Sequence, residues 1–133
     1  MRLLAALLVL CASPAVAETV QFQSPSGNIH CMMSDEPWMD GARCDILSVS
    51  TLSYASRPSW CDLDWGQAFY VPNFGGAEPS CAGDTVAGNG FVLQYGQSYT
   101  VGNVTCFSDE SGMLCRNGSG DGFALRRAAQ QVF

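Results

Sequence analysis

From Thr19 onward, apolar positions come in short alternating runs bounded by Gly, Pro, Asn, Asp and Ser, and the spacing of an amphipathic helix is almost absent. Alternation with period two places successive side chains on opposite faces of a strand, so the pattern predicts an all-β domain. Candidate strands are Thr19 to Gln23, Ile29 to Met33, Ala42 to Leu47, Gln67 to Val71, Gly90 to Gln94, Ser98 to Val101, Val104 to Ser108, Gly112 to Arg116 and Gly122 to Leu125. The expected architecture is a small disulfide-stabilised sandwich or barrel of about eight short antiparallel strands. The tail from Arg126 to Phe133 is compatible with a short helix, because Ala128, Ala129, Gln130 and Gln131 are acceptable helix residues.

Two hairpins can be drawn from the sequence. Val104 to Asn117 holds two runs joined by Asp109-Glu110-Ser111-Gly112, and pairing Phe107 with Leu114 sets Cys106 opposite Cys115. Residues 29–33 and 42–46 can pair across the acidic loop Ser34 to Gly41, which brings Cys31 near Cys44. Cys61 and Cys81 are then left to close the middle of the chain.

The cysteine count supports this scheme. The first residues, MRLLAALLVLCASPAVA, join Arg2, an apolar run from Leu3 to Ala12 and the small-residue pattern Ala15-Val16-Ala17. That is the form of a signal peptide over residues 1–17, with cleavage expected near Ala17 and a single secreted or periplasmic domain over 18–133. Leu10 stands where lipoprotein processing prefers a small residue, so Cys11 is expected to leave with the leader. Of the seven cysteines this leaves Cys31, Cys44, Cys61, Cys81, Cys106 and Cys115, an even set that reads as three disulfides in an exported chain. Sequence leaves the connectivity open, and the sequential pairs Cys31 with Cys44, Cys61 with Cys81, and Cys106 with Cys115 are preferred. No apolar run approaches the length of a membrane-spanning helix.

Charge narrows the partners. After the leader the positive side chains are Arg43, Arg57, Arg116, Arg126 and Arg127, with no lysine, against twelve Asp and Glu. Such a surface repels phosphate backbones and anionic membranes, so no nucleic-acid partner is expected; a basic partner would be attracted, but acidity that only maintains solubility is the reading preferred.

Candidate chemistry is sparse. The stretch FQSPSGNIHC, Phe22 to Cys31, holds Ser26 and the chain's one histidine, His30, yet no Gly-x-Ser-x-Gly elbow exists. Pro25, Gly27 and Asn28 are turn residues, and His30 alternates with Ile29 and Cys31, so it is expected exposed on the outer face of a strand. Asp62 and Asp64 in CDLDWG share one face if extended, and are a low-ranking binding or acid–base pair; as a calcium loop the run fails, since Gln67 and Asn73 stand where Gly and Glu are needed. Asp84 in CAGDT lacks the glycine of an aspartic-protease motif and reads as a turn residue, and the glycine-rich Asn117 to Phe123 is a single copy of a calcium-turn pattern. Zinc lacks closely spaced cysteines, redox chemistry lacks Cys-x-x-Cys, and no cofactor or metal is expected. Trp38, in the loop SDEPWMD, is the aromatic residue expected to be exposed and to serve in contact.

Taken together, F-x-S-P-S-G-N-I-x-C from Phe22, R-C-D-I at Arg43, C-x-L-D-W-G from Cys61, C-A-G-D-T from Cys81, the Cys106 to Cys115 hairpin and G-x-G-F-x-L from Gly120 resemble a family of small exported bacterial domains of unassigned function. The resemblance implies export, a bacterial source and a disulfide-stabilised β domain, and carries over no catalytic residue. Where members often have Ser before an Arg after the last Gly-Phe strand, this chain has Arg126-Arg127. The expected function is a non-enzymatic binding or structural domain of the envelope or exterior, in one version an inhibitor of a basic secreted enzyme. The alternative is a small hydrolase of envelope glycan or peptide using Asp62 and Asp64 or His30.

Overall fold

The computed structural model describes residues 10–13 and 16–133. The signal-peptide reading of residues 1–17 lies mostly outside these residues. Eleven strands follow in chain order: β1 Thr19–Gln23, β2 Ile29–Glu36, β3 Met39–Ile46, β4 Ala68–Pro72, β5 Glu78–Pro79, β6 Phe91–Val92, β7 Ser98–Val101, β8 Val104–Asp109, β9 Gly112–Asn117, β10 Gly122–Leu125 and β11 Gln130–Val132. They form a six-stranded sheet in the order β5-β4-β3-β2-β1-β6 and a five-stranded sheet in the order β11-β10-β9-β8-β7. Pairing is antiparallel except for β1 with β6. The two sheets pack face to face as a sandwich, with no helix among the described residues.

Alternation sets which residues enter the core. Phe22, Cys31, Met33, Ala42, Cys44, Ile46, Phe69 and Val71 point inward from the first sheet. Val101, Val104, Cys106, Met113, Cys115, Phe123 and Leu125 meet them from the second. Cys31 pairs with Cys44 and Cys106 with Cys115 at directly opposed positions, with Cα separations of 4.1 and 4.0 Å. These two bridges face each other across the sandwich, with Cys44 Sγ and Cys115 Sγ 3.6 Å apart. Both sulfurs are oxidised and carry no proton, so this is van der Waals contact between two disulfides in a fully buried centre. The third bridge, Cys61 to Cys81, ties the long β3–β4 connection to the segment after β5.

The β2–β3 hairpin is tighter than the eight-residue loop expected from sequence. Its strands run on to Glu36 and Met39, and Pro37-Trp38 alone makes the turn. Further along β3, Gly41 lets β4 approach closely, because a Cβ there would lie 2.1 Å from the carbonyl oxygen of Val71.

The tail also departs from expectation: Gln130–Val132 is strand β11, not a helix. The free edge of β10 offers hydrogen bonds that an isolated eight-residue helix cannot match. Buried Gln130 strengthens the choice, since its Nε2 donates to Thr51 O at 3.0 Å and Arg126 O at 2.7 Å, and its Oε1 accepts from Ser53 N at 2.9 Å. The two-residue strand β5, ending in Pro79, forms one edge of the six-stranded sheet and has no hydrophobic alternation to announce it.

Loop closure alone ranks the Cys61–Cys81 bridge, 20 residues apart, above Cys106–Cys115, 9 apart, by less than about 1 kcal/mol. Cys106 and Cys115 are fully buried against the other sheet, so removing their sulfurs also opens a core void. C106A/C115A is therefore expected to lower the urea midpoint more than C61A/C81A. The two midpoints, compared with intact protein at one pH, check this ordering.

Candidate functional site

The outer face of the first sheet carries the residues that alternate with its core positions: His30 on β2, Arg43 and Asp45 on β3, and Tyr70 on β4. The segment Cys81 to Gly90 folds back over part of this face. Two polar residues hold it there.

Asp45 is buried and accepts four hydrogen bonds. Arg43 donates to it through Nε at 2.9 Å and Nη2 at 3.1 Å, while Thr85 Oγ1 and Val86 N each donate at 3.0 Å. Arg43 also donates from Nη1 to Asp84 Oδ1 at 2.9 Å and from Nη2 to the Asp84 carbonyl at 3.0 Å. A guanidinium between two carboxylates is satisfied in its own fork geometry. Burial opposes the charge on Arg43, but the bonds and charges of Asp45 and Asp84 outweigh it and hold its pKa above the ordinary value. The same hydrogen bond and charge from Arg43 pull the Asp84 carboxyl below its usual range.

His30 is on the outer face, as alternation requires, but it is buried beneath this segment and not exposed. Its Nε2 lies 2.9 Å from the carbonyl oxygen of Gly27, and its Nδ1 lies 3.4 Å from the amide nitrogen of Gly88. An amide can only donate, so Nδ1 is the acceptor and Nε2 carries the proton. Both nitrogens are thus engaged by backbone, leaving neither to activate a nucleophile. Ser26 is likewise engaged in its turn: its Oγ accepts from Asn28 N at 3.2 Å and shares a proton with Ser24 Oγ at 3.0 Å.

Asp62 and Asp64 are both exposed, and they part company. The backbone of Asp64 exchanges two 3.1 Å bonds with Ala82. Asp64 borders a cavity of about 290 Å³ together with Asp45, Asp84, Trp65 and Gln67; Asp62 does not. Trp65 is half-buried and meets Trp60 edge to face at 5.6 Å.

On the other side of the Cys81–Asp84 segment lies a wider groove of about 480 Å³, bordered by Trp38, Met39, Leu63, Tyr70, Arg43 and Asp84. Trp38, at the tip of the β2–β3 hairpin, is 67% exposed, and Leu63 is 51% exposed. Tyr70 donates to the Asp40 carbonyl at 2.6 Å. Burial first, then the negative charges of Asp40 and Glu78, raise its pKa above that of a free tyrosine. Asp84 is the carboxylate that borders the groove, with Asp40 next to Met39 on β3, and eight of the chain's twelve carboxylates fall between Asp35 and Asp84 in sequence, against Arg43 and Arg57.

Arg43, Asp45, Leu63, Tyr70 and Asp84 were not singled out by sequence as one site. The signal for two of them was present, since opposite charges two residues apart in R-C-D-I share a strand face. Nothing local to Asp84 or Leu63 indicates that the Cys61–Cys81 bridge brings their segments to the same groove. The sulfurs of Cys31, Cys44 and Cys115 lie within 4.8 Å of one another, the tightest grouping of metal-ligand atoms among the described residues. As disulfide sulfurs they lack the thiolate charge that a metal requires.

A model described as a family of unknown function (DUF6636) matches residues 2–133. No curated protein and no solved structure matches the chain.

The latch residues differ in what they hold. Asp45→Asn would turn an amide NH₂ toward groups that are all donors, and is expected to cost about 3 kcal/mol. Asp84→Asn removes only an exposed pair and is expected to cost far less. Because the folded carboxyl of Asp84 sits below its unfolded value, its contribution is complete above about pH 4 and is lost as pH falls through the lowered value. Urea titrations of the wild type and D84N should therefore diverge at pH 7 and converge in strong acid.

Proposed function

We propose, for a chain that belongs to the family of unknown function DUF6636, that it acts as an exported domain which binds a basic protein and catalyses nothing. Export is supported by the leader pattern at residues 1–17 and by three disulfides, which fit an extracellular or periplasmic protein.

The observation that carries the reading is the Trp38 groove. An exposed indole beside Leu63, Met39 and Tyr70 supplies apolar area, and Asp84 on the rim, with exposed Asp40 next to Met39, supplies negative potential. A lysine or arginine side chain of a partner satisfies both, by lying over the indole face and reaching toward Asp40 or Asp84. Arg43 does not compete for that role, since its donors are committed to Asp45 and Asp84. The specific version is inhibition of a basic secreted enzyme such as a lysozyme, whose positive surface the acidic face would steer toward itself.

The hydrolase reading retains one favourable observation, the placing of Asp64 with Asp45 and Asp84 around one cavity. His30 cannot serve it, being tied to backbone at both nitrogens, and Asp62 does not share that cavity with Asp64.

Immobilised domain titrated with a basic c-type lysozyme, and with an acidic protein of similar size, tests the proposal. Binding is expected for the basic protein alone, falling steeply as salt rises past the concentration where the Debye length is about 10 Å. W38A should weaken it about tenfold or more. Unchanged affinity in W38A, or peptidoglycan cleavage by the wild type that a folded D62N/D64N variant loses, would overturn it.

A further inference from the structure

The opposite end of β2 carries a second and differently charged surface. β2 is eight residues long, so the Pro25–Asn28 turn lies about 25 Å from Trp38. Beside it is the turn between β10 and β11, which holds Arg126 and Arg127.

The backbone of that turn is closely held. Arg126 N donates to Ala129 O at 2.9 Å, and Ser50 N and Thr51 N donate to Arg127 O at 2.8 and 3.3 Å. Gln130 Nε2 donates to Arg126 O at 2.7 Å. The side chains are not held: among the described residues the ion pairs belong to Arg43, and the single guanidinium contact here is Arg127 Nη2 to Ser48 Oγ at 3.4 Å. A fixed backbone presenting two free guanidinium groups is preorganised for a ligand.

Both arginines border a cavity of about 310 Å³ with Ser26, Ser48, Tyr95 and Glu110, and five separate connections between strands build its wall. Asp109, which also borders it, is occupied within its own turn: its oxygens accept from Glu110 N at 2.7 Å and Ser111 Oγ at 2.9 Å. The Glu110 carboxylate and the Tyr95 hydroxyl make no hydrogen bond among the described residues, and the Tyr95 residue is 44% exposed.

Two guanidinium groups bordering one cavity select an oxyanion. The Ser48 hydroxyl, which keeps its proton to donate, a free carboxylate acceptor and an exposed aromatic ring suit the hydroxyls and the apolar face of a sugar. A simple anion would leave the hydroxyl and the ring without a role; a neutral sugar would leave the guanidinium pair without one. We propose that this end of the sandwich binds an acidic glycan, a sugar ring carrying a carboxylate, with that carboxylate on Arg126 and Arg127 and the ring against Tyr95.

The probes are trigalacturonate, neutral maltotriose and inorganic phosphate, titrated into the full domain by calorimetry. Trigalacturonate is expected to bind at least about tenfold more tightly than either of the others. R126Q/R127Q should abolish binding, and R126K/R127K should restore part of it, because point charge returns without the fork. Both side chains are exposed, so unaltered melting is expected in these variants. Equal affinity for maltotriose or phosphate, no binding of trigalacturonate at millimolar concentration, or undiminished binding by R126Q/R127Q would overturn the proposal. W38A should leave glycan binding unchanged, which separates failure here from failure of the basic-protein reading.

Discussion

Two cross-strand disulfides meet sulfur to sulfur at the centre of the sandwich, and the register of both sheets follows from them. Cys31 opposite Cys44 locks β2 against β3, and Cys106 opposite Cys115 locks β8 against β9. A slip of one residue would turn every side chain of a strand to the other face. On β3 that slip would drive Arg43 and Asp45 into the core, where their charges would be buried among Phe69 and Phe123. The bridges thus do more than restrict the unfolded chain; they fix which residues face outward.

The outer face depends on that register. Asp45 stands where it can gather Arg43, Thr85 and Val86, and His30 stands where it can join the β1–β2 turn to Gly88. These contacts hold the Cys81–Gly90 segment over the sheet and so divide it into a smaller cavity and the wider Trp38 groove. The chain's histidine is therefore a fastening between segments. Its position in the distinctive stretch FQSPSGNIHC reflects architecture, and the same turn supplies one wall of the pocket beside Arg126 and Arg127.

Charge is distributed along this frame in a way that net charge conceals. Formal net charge is −6 for the whole chain, but the excess is concentrated on the first sheet and its connections. The end formed by the β1–β2, β8–β9 and β10–β11 turns sets Arg126 and Arg127 against Asp109 and Glu110. A uniformly acidic surface would serve mainly solubility. Segregation gives the two ends of β2 surfaces of different charge.

The sequence by itself determined what local alternation and cysteine spacing can determine: an all-β chain, strands β1, β7 and β10 to the residue, the inward cysteines and the outward side of His30. It also marked Trp38 as exposed, because it sits in the polar and acidic stretch Ser34 to Gly41 between two strands. Tertiary structure decided the rest. The tail became a strand because β10 had an open edge, His30 became buried because a segment nearly sixty residues away closed over it, and Asp62 and Asp64 diverged because Ala82 captured the backbone of one. Each of these outcomes depends on a hydrogen-bond partner distant in sequence, and no local pattern encodes where such a partner will lie.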